Sequence, residues 1–346
     1  MFEISPAKFR RVLLAWYDRN RRDLPWRRTS DGWAIHVSEI MLQQTRVAAV
    51  LPYYERFMAR YPAPAAFARA SESEVLACWA GLGYYSRARN LQRAAEHIAG
   101  HCGYPRDYAA IRALPGVGDY TAAAIGSIAF GHARAAVDGN VLRVFARITA
   151  EKSDVRVRPT RERLTQTVQA LVDRRRPGDF NQALMELGAT VCLPRNPRCG
   201  VCPVQRWCEA HTLGLQQQFP VKSAKPQFLD VVRRLLVVQR DGAVLLRRVA
   251  ADSRRLAGFW ELPEAEQIPG ARVRKKVAEF RHTIVNTNHR CHVSLASLGR
   301  RGALDEFRWT PLAEIGSLPL STMARKALSL AGLPLAERNP AHSARV

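Results

Sequence analysis

Four of the seven cysteines fall inside residues 192–208, as Cys192, Cys199, Cys202 and Cys208, in a C-x6-C-x2-C-x5-C run. Thiols at that density pin the chain around a metal centre, either tetrahedral zinc or an iron–sulfur cube, and so fix its path before any core is considered. Zinc ribbons usually carry two close C-x2-C pairs, and this run has one. A disulfide framework is not expected. The N-terminal stretch MFEISPAKFRRVLLAWYDR lacks the apolar core and small-residue cleavage site of a secretory signal, which places the protein in the cytoplasm, where thiols stay reduced. Arg195, Arg198 and Arg206 lie in the run with no acid between Cys192 and Cys208, which suits a basic loop shaped onto phosphate. Cys78, Cys102 and Cys291 read as ordinary buried or partly buried thiols.

The rest of the composition points to the same class of partner. Fifty-three Lys and Arg against 30 Asp and Glu give a formal charge of +23, and 46 of the cations are Arg, whose fork matches phosphate. No apolar run is long enough to span a bilayer and no basic amphipathic anchor stands out, so a nucleic acid is favoured over a membrane. At 346 residues the chain has room for two or three domains.

Residues 1–28 carry an amphipathic helix ending near Arg21, with Phe9, Val12, Leu13 and Trp16 on one face, and then an ordered turn. From Asp31 to about Ala135 helices follow one another, broken at Pro52, Tyr61–Pro64, Gly81–Gly83, Gly103–Pro105 and Pro115. A further helix from Thr160 to Arg174, another around Gln182–Leu187, and the cysteine segment extend this region to 211. Residues 212–228 are polar with two prolines and read as a linker. Beyond it, Val231–Val238 and Ala243–Leu246 flank Arg240-Asp241-Gly242, a hairpin signal that opens an α+β domain over 229–335. Residues 336–346 form an Ala/Arg-rich tail.

Two stretches carry candidate chemistry. In Leu114-Pro115-Gly116-Val117-Gly118 the glycines permit a tight turn with free amides, and the small-residue run from Thr121 continues as a helix, which makes either an anion grip or a plain helix connection. Asp138, in Val137-Asp138-Gly139-Asn140, is a carboxylate on a glycine turn, serving as an N-cap or as part of a site. Glu39 sits among Val37, Ile40, Met41 and Leu42. It is either a surface Glu near a helix start or a carboxyl whose charged form is disfavoured, as a general acid near neutral pH requires.

Together these motifs resemble the endonuclease III superfamily of DNA glycosylases and, within it, the adenine glycosylases of the MutY type. SEIMLQQTRV is similar to the segment bearing that family's catalytic Glu, and the cysteine spacing to its four-iron four-sulfur loop. The resemblance implies a mainly α, two-lobed helix-hairpin-helix domain over 1–211. In it Glu39 protonates adenine, Asp138 stabilises the sugar cation, and Tyr120 and Asn140 lie in the pocket beside Asp138. Bifunctional relatives place a Lys where this chain has Tyr120, so a monofunctional enzyme without Schiff-base chemistry is implied. Arg22, Arg27, Leu42, Val47 and Glu186 are the implied adenine pocket. Tyr84, in Gly81-Leu82-Gly83-Tyr84-Tyr85, is the implied wedge into the base stack, with Gln43 as its partner. Gly116, Gly118, Thr121, Arg195 and Arg198 are implied DNA contacts, and Asp119 departs from relatives in a way that weakens the phosphate grip.

Gly258-Phe259-Trp260-Glu261-Leu262-Pro263 resembles a stretch of the family's Nudix-like C-terminal domain. The helix expected there, Ala271–Phe280, holds one Glu, so recognition of the base opposite adenine is implied rather than pyrophosphate hydrolysis. Relatives often carry a Phe-Ser-His element whose Ser contacts 8-oxoguanine; this chain departs from it, and Thr287-Asn288-His289, two or three residues later, is the polar substitute the resemblance implies. The implied protein is a monomeric base-excision-repair glycosylase, nucleoid-associated, with one 4Fe-4S cluster and no nucleotide cofactor, acting on duplex DNA with adenine opposite 8-oxoguanine or guanine. An endonuclease III-like lyase for oxidised pyrimidines and a non-catalytic damage-binding protein are the competing expectations.

Overall fold

The structure is a computed structural model that describes residues 5–101, 103–223, 228–250, 253, 256–284, 286–299 and 306–333. Cys102, residues 224–227 of the expected linker and the tail 336–346 lie outside the described residues. In chain order the helices are α1 (Pro6–Asn20), α2 (Gly32–Leu42), α3 (Val47–Arg60), α4 (Pro64–Ala68), α5 (Glu72–Trp79), α6 (Ser86–Ala99), α7 (Tyr108–Ala113), α8 (Asp119–Phe130), α9 (Gly139–Ile148), α10 (Arg158–Leu171), α11 (Pro177–Thr190), α12 (Glu209–Thr212) and α13 (Thr322–Leu330). The strands are β1 (Leu229–Arg240), β2 (Ala243–Arg248), β3 (Trp260–Glu261), β4 (Ala271–Ile284), β5 (Thr287–Leu298) and β6 (Phe307–Pro311).

The chain divides into two compact units, Met1–Ala70 with Ser86–Ala224, and Ser71–Tyr85 with Lys225–Val346. The expected helical region is therefore not one uninterrupted unit, because the excursion carrying α5 groups with the C-terminal residues. Of the stretch read as a linker, residues as far as 223 pack on the helical unit. Phe219 is buried, the Val155 amide donates to the Val221 carbonyl, and Ser223 bonds Asp154.

Among the described residues of the helical unit, two apolar clusters bear on the site. One gathers Phe9 and Tyr17 of α1, Phe145 of α9, Leu164 and Val168 of α10, and Phe180 and Leu184 of α11. The other joins Ile35 of α2, Ala94 and Ile98 of α6, Ile111 of α7, and Ala122 and Ile125 of α8. A fully buried side chain of this size stabilises by roughly 1.5–3 kcal/mol, so each cluster is a lobe in its own right. A small cluster of Ala123, Ala124 and Ala136, with Tyr120 and Met185 against it, draws on α8, the approach to α9, and α11.

The C-terminal unit is built on a sheet of order β3-β2-β1-β5-β4, with β6 also paired to β2. The expected hairpin is present: β1 and β2 are antiparallel, and Asp241 and Gly242 both take positive φ, 48° and 73°, as a tight two-residue turn requires. Leu235 and Val237 face one apolar cluster with α13, while Leu236 and Val238 face another with Ile268 and Ala296. Both faces of β1 are thus covered there. The expected helix over Ala271–Phe280 is instead the first part of β4, an edge strand antiparallel to β5. Two register shifts, between Val273 and Lys275 and between Lys276 and Ala278, interrupt its pairing. They hide the alternation that marks a strand, and the exposed cations suit a sheet edge that must not recruit another strand.

Candidate active site and cysteine centre

Asp31 starts α2 by accepting the amides of Trp33 and Ala34, and every residue of the helix from Gly32 to Met41 is buried. Glu39 is therefore a carboxyl inside an apolar helix, 6% exposed. Burial raises its pKa to about 7, helped by the charge of Asp138 and opposed by the Tyr120 hydroxyl and Arg27. That hydroxyl donates to Glu39 Oε2 at 2.8 Å, from the first turn of α8, and also approaches Met185 Sδ at 3.7 Å. Tyr120, expected beside Asp138, bonds the other carboxylate.

Asp138 caps α9, its Oδ1 accepting from the Val141 amide at 2.7 Å. Oδ2 accepts from Asn140 Nδ2 at 2.8 Å. Burial pushes the Asp138 carboxyl upward, while these bonds and the charge of Arg143 pull it down. The N-cap reading of Asp138 therefore holds, and its second oxygen is steadied by Asn140. The segment that delivers Asp138 is extended and held by two amide side chains acting as strand partners. Gln169 of α10 bonds the Ala135 amide and Ala133 carbonyl, and Asn181 of α11 bonds the Ala136 amide and Arg134 carbonyl.

From Asp138 the bonds continue along α9. Asn140 Oδ1 accepts from Arg143 Nη2 at 2.9 Å, and Arg143 Nε donates to the Cys192 carbonyl at 2.9 Å. One turn on, Arg147 is 1% exposed and spends its guanidinium on the carbonyls of Leu193, Pro194, Gln216 and Phe219 and on Cys192 Sγ. Neither arginine was singled out in the sequence. Most of their partners are backbone carbonyls more than 40 residues away, and such pairings leave no local pattern. The same holds for Arg87, which caps α2 through the carbonyls of Ile40, Met41 and Gln43.

Cys192, Cys199, Cys202 and Cys208 line one cavity with Arg147, Gln205, His211 and Gln216. Among the described residues no three His, Cys, Asp or Glu side chains converge as ligands of a single ion. Four thiols lining one cavity can hold a multi-atom cluster. Burial raises Cys202 to about 12 and Cys208 to about 11, so the thiolates need the positive charge of bound iron. Arg195, Arg198 and Arg206 are exposed on this loop.

The expected adenine-pocket residues separate into two groups. Glu186 of α11 is fully buried. Arg22 grips it with Nε and Nη2, both at 2.7 Å, and Arg27 with Nη2 at 2.8 Å. Burial raises the Glu186 carboxyl, but the two guanidinium groups outweigh it and hold it at about 2. Leu42 and Val47, at the end of α2 and the start of α3, are partly exposed, as is Gln43. Tyr84 stands 51% exposed in the other unit.

Leu114–Gly118 turns between α7 and α8 as expected. Gly116 takes φ 79°, and a Cβ there would lie 2.7 Å from Asn90 Cβ, so no other residue fits. Gly118 is the N-cap of α8 and leaves the first amides without helical partners. Thr121, expected as a DNA contact, is buried at 3% exposure, so its side chain is not presented at the surface. Asp119 is held by Arg112, Nε to Oδ1 at 2.6 Å, which offsets the negative charge expected to weaken this helix start. In the C-terminal unit Thr287 and Asn288 begin β5 partly exposed, with Asn288 Oδ1 accepting from Thr283, while His289 is buried.

Residues 37–172 match the HhH-GPD superfamily of base excision DNA repair proteins, and residues 192–208 match the iron–sulfur binding domain of endonuclease III. The four cysteines hold a four-iron four-sulfur cluster. The chain is 39% identical over 325 residues to the adenine DNA glycosylase of Homo sapiens, covering 78% of this chain and 59% of that one. It is 44% identical over 214 residues to the adenine DNA glycosylase of Mycolicibacterium smegmatis, covering 60% and 70%. A solved structure of a thermostable thymine-DNA glycosylase superposes with TM-score 0.55 at 31% identity, over 60% of this chain and 97% of that one. The chain thus spans about three fifths of the human relative's length. Among the described residues no helix is long and apolar enough to cross a membrane.

Proposed function

The chain belongs to the adenine DNA glycosylases of the helix-hairpin-helix base excision repair superfamily, and we propose that it hydrolyses the N-glycosidic bond of adenine paired with 8-oxoguanine or guanine in duplex DNA. The observation that carries this reading is a buried Glu39, raised to about 7 and bonded by Tyr120, within electrostatic reach of Asp138. A neutral acid and a second carboxylate are what glycoside cleavage uses, one for the leaving group and one for the oxocarbenium-like sugar. Glu39 gives its proton to a ring nitrogen of the extruded adenine, and the glycosidic electron pair leaves with the base. The positive charge developing at the sugar favours the ionised form of Asp138, and water adds to the sugar to leave an abasic site, its proton restoring the Glu39 acid. Asn140 steadies the Asp138 carboxylate. No amine stands at position 120, so the sugar is not captured as a Schiff base.

The remaining residues hold the DNA. The target nucleotide must be turned out of the stack, for which Tyr84 and Gln43 are the intruding side chains. Leu42 and Val47 wall the base pocket, and the Arg22–Glu186–Arg27 cluster fixes its polar side. The amides after Gly116 and Gly118, with Arg195 and Arg198, take phosphates. Thr287 and Asn288 are the accessible members of the trio that meets the opposite base; the buried His289 acts behind them.

Single-turnover assays on duplexes with adenine opposite 8-oxoguanine, guanine or thymine, and with thymine opposite guanine, test this reading. Adenine release from the first two, with no borohydride-trapped adduct, is expected. Thymine release, the activity named for the similar solved structure, would overturn the pocket assignment, and a trapped adduct would revive the lyase.

A further inference from the structure

Residues 71–85 leave the helical unit between α4 and α6 and pack as part of the C-terminal unit. The turn that ends this excursion has an unusual backbone. Gly83 takes φ 71°, and Tyr84 itself takes φ 50° while exposing half of its surface. An aromatic residue in the left-handed region persists only where its surroundings impose it. Two contacts grip the residues on either side. The fully buried Trp79 donates its indole N–H to the Gly83 carbonyl at 3.2 Å. Tyr85 packs its ring against Phe259, centroids 4.2 Å apart and planes at 51°, in a cluster with Leu76, Val249 and Leu256. Phe259 is 1% exposed and lies just before β3. The ring at 84 thus projects from a backbone clamped before and after it, and one jaw of the clamp belongs to the C-terminal sheet region.

We infer that Phe259, through the ring of Tyr85, is a positioning residue that fixes the angle at which Tyr84 enters the base stack. The inference rests on the reading of Tyr84 as a wedge. It gives the Gly258-Phe259-Trp260 stretch a task in opening the duplex, separate from contact with the opposite base. Adenine that is stacked and paired needs the wedge, whereas adenine already loosened, for example beside a tetrahydrofuran abasic analogue, does not.

The full-length chain and its Tyr84→Ala, Phe259→Ala and double variants are compared in single-turnover release on both kinds of duplex. Tyr84→Ala is expected to slow release from the stacked duplex about tenfold and from the loosened duplex little. Phe259→Ala is expected to do the same, and the double variant to be no slower than either single one. Phe259→Leu and Tyr85→Leu keep apolar volume without the ring contact, and should show the same substrate dependence if Phe259→Ala does not fold. If Tyr84→Ala leaves stacked-duplex release unchanged, the wedge reading fails and the inference with it. If Tyr84→Ala slows release but the Phe259 defects multiply with it, or persist on the loosened duplex, the inference alone is overturned.

Discussion

Glu39 gains its chemistry at a cost in stability. A carboxyl at about 7 in the folded chain and about 4.5 in the unfolded one favours its neutral form on folding. Its burial therefore costs nothing below about pH 4.5, and the penalty grows until pH passes about 7. Glu39→Gln is accordingly expected to melt like the parent near pH 5 and to be stabilised at pH 8 by on the order of 2–3 kcal/mol, while base release falls at least a hundredfold and duplex affinity stays. Thermal denaturation at the two pH values, with binding and single-turnover assays, checks this. Glu186 has the opposite sign. Its folded pKa of about 2 lies below the ordinary value, so its contribution is present above about pH 4.5 and is lost as pH falls toward 2. Glu186→Gln strips the buried Arg27 of its anion and is expected to cost about 3–5 kcal/mol at neutral pH, read as a lowered denaturant midpoint. That Glu39 is buried was one of two readings open to the sequence. That Glu186 is the hub of two arginines was not visible, because Arg22 and Arg27 lie about 160 residues away along the chain.

At the scale of elements, α9 carries a carboxylate at its start and two arginines, one at its middle and one near its end, that tie it to the cysteine loop. α11 must pass close to it. A Cβ on Gly188 would stand 2.6 Å from Asn140 Cβ and 3.2 Å from its backbone, so Gly188→Ala displaces the residue that bonds Asp138. Base release should slow by tenfold or more while the cluster's visible absorbance is retained; an unchanged rate would show that Asn140 does not steady Asp138. At the other helix start, Asp119→Asn removes a negative charge and the ion-pair partner of Arg112. Duplex affinity should rise about two- to fivefold at low salt, and the gain should shrink as salt screens it. The helices were legible because their periodicity is strong and their breaks are Pro and Gly. β4 was not, since its outward residues are charged along much of its length and two bulges break the period of two. The grouping of α5 with the C-terminal sheet was equally hidden, because nothing in residues 71–85 says which distant apolar surface they will meet.

For the whole molecule, a +23 charge attracts a polyanion without choosing a base, and under the proposed function the choice falls to a site assembled from several elements. α2 supplies Glu39, α8 supplies Tyr120, and the turn into α9 supplies Asp138, so the proposed chemistry requires both lobes of the helical unit to be folded. The local motifs of that site were readable one by one. Their convergence, and the amide and arginine side chains that enforce it, belong to the tertiary structure. The central claim is that Glu39 is the acid and Tyr120 tunes it by stabilising its charged form. Its most direct test is the pH dependence of single-turnover adenine release, measured for the parent chain and for Tyr120→Phe. Release should fall tenfold per unit above about pH 7, and loss of the Tyr120 hydroxyl should move that limb to higher pH. A limb that stays where it was, or moves to lower pH, would contradict the assignment.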